Sequence, residues 1–196
     1  MRICIKMAEK NKEQTNRKFI QEFELPDGIQ AVVEDSELIL KKDSKELRRK
    51  LHPAIGLKIE GNKLTIKARK TSKKEKKIFG SLKAHIKNMI KGLTEGFTYR
   101  LQVSNVHFPM NVIYDKDNSE LVVKNFLGEK EDRRIKLNKE VDVKVDKGNI
   151  ELTSYDIEKA GQAAANIEKG TKVRNKDRRI YQDGIFITKK PGREFL

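Results

Sequence analysis

The feature that most restricts how this chain can fold is that it repeats itself. Ser36-Glu37-Leu38-Ile39-Leu40-Lys41 returns as Ser119-Glu120-Leu121-Val122-Val123-Lys124, 83 residues later. Lys45-Glu46-Leu47-Arg48-Arg49 is echoed by Lys130-Glu131-Asp132-Arg133-Arg134 at an offset of 85, and Ile55, Leu57, Ile59 by Val141, Val143, Val145 at 86. Gly61-Asn62 and Gly148-Asn149 follow, each leading into another alternating pair, Leu64 and Ile66 or Ile150 and Leu152. One such match would say only that strands look alike. Four in the same order, with a slowly drifting offset, point to a duplicated unit. Small insertions in turns account for the drift, because loop length costs little free energy.

Each half reads as several short strands followed by one helix. Ile29, Ala31 and Val33 alternate, then Leu38 and Leu40, with Asp35-Ser36 as a tight turn between them. Period two places these side chains on one sheet face and leaves Glu34, Glu37 and Lys41 to water. Short connections imply mostly antiparallel pairing. Ser72 with Glu75 three residues on predicts a capping box. Ile78, Leu82, Ile86, Met89, Ile90 and Leu93 then form an apolar stripe, and Gly96 is the stop. The second helix is expected from about Asp156 to Lys169 with Gly170 as its stop. Ile157, Ala160, Ala164 and Ile167 face inward, small enough for close packing. The fold class is therefore α+β: two tandem copies of a small domain, each a mostly antiparallel sheet covered by one helix. The expected divisions are a flexible basic arm at 1–18, repeats at 19–96 and 97–190, and a tail at 191–196.

Among 196 residues, 44 Lys and Arg oppose 29 Asp and Glu, for a net charge of +15. Such an excess calls for a polyanion, with nucleic acid ahead of an anionic membrane surface. A single cysteine, Cys4, precludes an intrachain disulfide and a cysteine zinc site, which suits a reducing cytoplasm. No apolar run reaches a membrane span. The stretch Met1–Met7 is too short for a signal-peptide core, and either Met1 or Met7 can serve as the start.

The second half acquires what its twin lacks. From Lys169 to Arg193 there are nine basic residues and two acidic ones. Five of the cations, Lys172, Arg174, Lys176, Arg178 and Arg179, sit in one short loop, which repels itself unless an anion lies nearby. Asn175 and Tyr181 add hydrogen-bonding and stacking groups, and arginine's planar fork suits phosphates and bases. Asp183-Gly184 reads as a hairpin turn, followed by Ile185-Phe186-Ile187-Thr188 and a basic end. Folded RNA, recognised through shape, phosphates and 2′-hydroxyls, fits such a surface. Lysines at 73, 74, 76, 77, 83, 87 and 91 make the first helix basic, which leaves open solvation or RNA contact.

The run Gln162-Ala163-Ala164-Ala165-Asn166-Ile167-Glu168, the stretch from Thr171 to Asp177 with Arg179, and Tyr181-Gln182-Asp183-Gly184-Ile185 closely resemble ribosomal protein six of the large subunit, in its archaeal and eukaryotic branch. The resemblance covers roughly residues 19–190 and is most specific from Gln162 to Gly184. It implies a duplicated fold and a second domain that binds large-subunit, 23S-type rRNA. It also implies a place among other large-subunit proteins, near the sarcin–ricin loop and the stalk base where translational GTPases dock, in cytoplasmic ribosomes. The rRNA-binding residues expected are Lys169, Lys172, Arg174, Asn175, Lys176, Arg178, Arg179, Tyr181, Lys189, Lys190 and Arg193.

No catalytic role is expected. The sequence has no phosphate-cradling glycine loop, no nucleophile elbow and no zinc-binding histidine pair on a helix. His52, His85 and His107 are far apart and read as surface or half-buried imidazoles rather than ligands or bases. No cofactor, metal, membrane or small-molecule substrate is expected. An RNA-processing or assembly factor would share the basic surface. A peripheral membrane protein would share the basic amphipathic helix, but that helix is needed as the apolar lid of its sheet.

Overall fold

The computed structural model describes residues 20–69, 72–146 and 148–195. The basic segment 1–18, with Cys4, lies outside them. The chain divides into two compact units, Met1–Thr94 and Glu95–Leu196.

In the first unit, β1 (Ile20–Glu24), β6 (Lys63–Ala68) and β5 (Ile55–Glu60) form one antiparallel sheet in the order β1-β6-β5. A second antiparallel sheet, β2-β3-β4, is made by β2 (Gln30–Glu34), β3 (Glu37–Lys42) and β4 (Lys45–Lys50). The β2–β3 turn is the one expected: Asp35 and Ser36 have φ of 45° and 66°, the left-handed pair that a two-residue hairpin joining right-twisted strands needs. The helix α1 spans Lys73–Thr94. Its capping box is formed, with the Ser72 N–H donating to Glu75 Oε2 at 3.1 Å and the Glu75 N–H donating to Ser72 Oγ at 3.3 Å. Phe79, Leu82, Ile86, Met89 and Leu93 are its buried apolar residues, so Phe79 belongs to the stripe while Ile78 and Ile90 sit at its margins. Alternation fails in two places. Val33, on the edge strand β2, is 42% exposed, whereas Leu38, Ile39 and Leu40 on the central strand β3 are all buried.

The second unit repeats this order. β8 (Asn111–Asp115), β9 (Glu120–Lys124) and β10 (Arg133–Lys136) make the sheet β10-β9-β8. β7 (Phe97–Ser104), β11 (Asp142–Asp146) and β12 (Asn149–Ser154) pair as β11-β12-β7, and this sheet continues through β13 (Gly184–Lys190) and β14 (Arg193–Glu194). The helix α2 (Ile157–Gly170) is N-capped by Asp156, whose side chain accepts from the Glu158 N–H.

Register corrects one detail of the repeat. Leu38 pairs with Arg49, and its counterpart Leu121 pairs with Ile135, not with Arg134. Arg48 therefore corresponds to Arg134, at the same offset as the strand that follows. The insertion lies wholly between β9 and β10, where a two-residue turn gives way to a 3-10 turn at Phe126–Gly128. Phe126 there is fully buried, so the added residues extend the core.

Gly170 is the last helical residue, and a side chain is excluded there by packing. A Cβ would lie 2.6 Å from Ile135 Cδ1 and 2.7 Å from Cγ1. Gly80, exposed within α1, has nothing within 4 Å. Gly170→Ala should thus destabilise the chain by about 1–3 kcal/mol, with part recovered in Ile135→Val. Gly80→Ala should stabilise it by up to about 1 kcal/mol. Urea unfolding of the full chain measures both, and equal shifts would contradict the packing.

Candidate nucleic-acid interface

The loop joining α2 to β13 is fixed at both ends by buried polar groups. Thr171, 2% exposed, ends α2: its N–H and its hydroxyl donate to the Ile167 carbonyl at 3.1 and 3.0 Å. The same hydroxyl oxygen accepts from the Ile185 N–H at 3.1 Å, tying the start of the loop to the start of β13. At the far end Asp183 is 1% exposed. It accepts from the His107 backbone N–H at 2.9 Å and contacts His107 Nδ1 at 2.6 Å. Burial works against the Asp183 charge, but the His107 contacts outweigh it and hold the carboxyl below the usual carboxylate range. His107 in turn lies 5.0 Å from the Tyr181 ring, and Lys176 Nζ sits 4.6 Å from that ring's centroid.

A third brace comes from β10. Arg133 Nη1 donates to the Gly170 carbonyl at 2.9 Å and to that of Lys172 at 3.4 Å. Its guanidinium lies 3.9 Å from the Phe126 ring centroid and is gripped by both carboxylate oxygens of Glu129, at 2.5 and 2.7 Å. The hydrogen bond from Arg133 keeps the Glu129 carboxyl low. Within the loop, Val173 is buried. Asp177 Oδ1 accepts from the Arg179 N–H at 2.9 Å, and the Asp177 carbonyl accepts from the Ile180 and Tyr181 N–H groups. Asn175 adopts φ of 58°, a conformation asparagine tolerates.

This frame presents the expected cations outward. Lys169, Lys172, Arg174, Asn175, Lys176, Arg178 and Arg179 are exposed, and Tyr181 is half-buried. Arg179 is paired with Asp177 at 3.1 Å, and its hydrogen bonds lower the Asp177 pKa. Among the described residues, Lys172, Arg174, Lys176 and Arg178 make no ion pair. Lys169, Lys172, Arg178, Arg179 and Tyr181 line one cleft of about 650 Å³, with Phe186 and Ile185.

The remaining cations stand elsewhere. Asp183-Gly184 is not a hairpin turn: the buried Asp183 roots the loop, and Gly184 opens β13. The hairpin lies further on, where Lys189 pairs with Glu194 and Lys190 with Arg193 across Pro191-Gly192, with Gly192 at φ of 79°. Lys189 forms an ion pair with Glu194 at 3.3 Å, and Lys190 and Arg193 flank Phe195. This group is about 17 Å along β13 from the loop. Sequence reasoning missed His107, Thr171, Arg133 and Phe186. The His107–Asp183 pair spans 76 residues, beyond any local pattern. His52 is engaged locally, its Nδ1 accepting from the Ala54 N–H, and His85 meets a strand residue 36 positions away, Arg49, whose Nη2 lies 2.8 Å from His85 Nε2. Among the described residues, no group of three or more His, Cys, Asp or Glu could hold a metal, and no helix is long and apolar enough to cross a membrane.

A duplicated α+β scaffold that adds one anchored, outward-facing cationic loop to its second copy defines a class of basic, two-domain protein with cations clustered on one surface of the second domain. The comparisons are specific. The family model for ribosomal protein L6 matches residues 25–96 and 108–184, the first segment ending two residues past the first unit and the second lying within the second unit. The large ribosomal subunit protein uL6 of Methanococcus vannielii is 40% identical over 174 residues, covering 88% of this chain and 94% of that protein. The protein of the same name from Haloarcula marismortui is 36% identical over 173 residues, covering 88% and 96%. The chain belongs to the ribosomal protein L6 family, in its archaeal type, and is a structural ribosomal constituent rather than an enzyme. The match ends at Gly184, so Lys189, Lys190 and Arg193 lie past it.

A carboxyl with a lowered pKa stabilises the fold above its unfolded value, near 4, and that stability is lost as pH falls through the folded value. Asp183→Asn should cost about 1–3 kcal/mol at neutral pH and flatten the stability loss below about pH 4. Identical acid transitions in variant and wild type would count against the His107–Asp183 root.

Proposed function

We propose that this chain is a constituent of the large ribosomal subunit in the cytoplasm and binds large-subunit rRNA mainly through its second domain, read as residues 97–190 after a first at 19–96. The observation that carries this is the exposed run Lys172, Arg174, Lys176 and Arg178, which makes no ion pair among the described residues and is held between buried anchors. Close cations raise one another's potential, and bringing in a polyphosphate relieves that repulsion while releasing its counterions. Because the anchors are formed before RNA arrives, little loop ordering is left for binding to oppose. The names of the two relatives support the large-subunit setting. The family resemblance supports a position near the sarcin–ricin loop and the stalk base, with large-subunit proteins and docking translational GTPases as neighbours. We extend the rRNA-binding role to Lys169, Asn175, Arg179 and Tyr181 beside the loop and to Lys189, Lys190 and Arg193 on the hairpin.

Replacing Arg174, Lys176 and Arg178 together with alanine should weaken rRNA binding and reduce the slope of log affinity against log salt by up to about three. Stability should fall by no more than about 1 kcal/mol, because all three side chains are exposed and only Lys176 leans on a packed ring, that of Tyr181. Filter binding across a salt series, with a thermal melt, checks both. Unchanged affinity and slope would remove the loop from the interface, and failure to cosediment with large subunits at low salt would remove the assignment.

A further inference from the structure

We infer that the cleft beside the basic loop is a site for one unpaired RNA nucleotide, its base laid on Phe186 and its flanking phosphates met by Lys169, Lys172, Arg178 and Arg179. This rests on the rRNA-binding reading and narrows it to one element of RNA structure.

Shape is the first argument. The cleft holds about 650 Å³, within the range of pockets that take a small organic ligand. An RNA duplex meets a protein as a convex surface of phosphates and ribose, with its base faces stacked inside. Such a surface would engage the cationic rim and leave the floor empty.

The floor is the second argument, because it carries an aromatic side chain that electrostatics does not need. Phe186 is 39% exposed, and it lies on the strand two residues after Gly184, so period two sets both on one face. A Cβ at 184 would sit 3.1 Å from Phe186 Cζ and 3.3 Å from Cε2. The ring therefore rests against the bare glycine backbone, and a side chain at 184 would have to push it aside by a few tenths of an ångström. Tyr181 does not offer an equivalent free platform, since His107 and Lys176 already lie on its ring at 5.0 and 4.6 Å. Of the two aromatic rings that line the cleft among the described residues, Phe186 is thus the open one, which suits a single stacked base. Cations at the rim with an aromatic floor are the combination that binds unpaired nucleotides, phosphate and base face being served by different groups. Ser104 and Glu168 also line the cleft and can meet hydrogen-bonding groups on a base edge.

The test uses the full chain and two RNA hairpins, identical except that 2-aminopurine is bulged in one and paired in the other. The chain contains no tryptophan, so the probe's emission is read without protein background. Wild type should bind the bulged hairpin between about fivefold and a hundredfold more tightly than the paired one, with the emission quenched on binding. Phe186→Leu, which keeps an apolar side chain of similar bulk, should lose the preference and the quench yet bind the paired hairpin as before. Phe186→Tyr should restore both. Millimolar adenosine monophosphate should not displace the bulged hairpin; displacement would mark a free-nucleotide site and overturn the RNA assignment. Equal binding of the two hairpins by wild type, or a preference kept in Phe186→Leu, would also overturn it. If large-subunit rRNA is still bound with a steep salt dependence in that case, only this inference falls. If neither rRNA nor hairpins are bound, the underlying reading falls with it.

Discussion

A central strand needs hydrogen-bond partners along both edges, and β7 obtains its second set only because the chain comes back after α2. On one side β7 pairs with β12, as β1 pairs with β6 in the first unit. On the other it pairs with β13 from Gly184 onward. The chain must travel from the end of α2 to that edge, and residues 171–183 are the path. The position of the loop is thus a consequence of sheet completion. Its ends are closed by short buried bonds, Thr171 to Ile185 and His107 to Asp183, so the loop is held by the same core that holds the sheet.

That anchoring decides what the cations can do. Like charges on a free segment would spread apart and lower their repulsion by moving into solvent. Here Val173 is buried, Asp177 forms a local turn, and the Gly170 and Lys172 carbonyls are tied to Arg133. The charges cannot spread without breaking these contacts. At physiological salt the screening length is about 8 Å, longer than the spacing of adjacent loop residues, so the repulsion persists. The acids nearby offset only part of the rim: Asp177 is committed to Arg179, Asp183 is buried against His107, Glu129 is gripped by Arg133, and Glu168 is the one exposed carboxylate that also lines the cleft, among the described residues. The loop therefore keeps its field, and the energy for holding like charges together is supplied by packing underneath them.

The duplication, both helices and the loop's composition were legible in the sequence because each is a local pattern: alternation, a capping box, a charge run. Three features were not. The β4 and β10 match slipped by one residue because paired arginines are a stronger visual cue than the register of an alternating strand. Gly170 ends its helix as expected, but its tighter constraint, Ile135, lies on another strand. Asp183-Gly184 looked like a hairpin because that dipeptide is a common turn. Here burial and a partner at His107 give the aspartate a different role. All three depend on contacts between residues distant in sequence, and no window over a single chain contains them. The tail cations illustrate the same limit: Lys189 and Lys190 are close to the loop in sequence, yet an extended strand carries them away from it.

Charge alone does not single out the second unit. The first unit also gathers Arg49, Lys50 and Lys77 round a cleft, of about 350 Å³, and α1 exposes lysine along much of its length. What separates the two is the company the cations keep. The smaller cleft is floored by Ile55, Ile78 and Leu82, aliphatic side chains shared between strand and helix. The larger one is floored by an aromatic ring resting on a glycine, beside a loop that the duplicated pattern does not contain. Phosphates are satisfied by either set of cations, but only a planar floor can tell a base from the space a base would leave. On this argument, selectivity for a base belongs to the segment that completes the sheet, and the second copy supports that segment with its own addition, the β9–β10 insertion whose Phe126 and Glu129 hold Arg133 against the start of the loop.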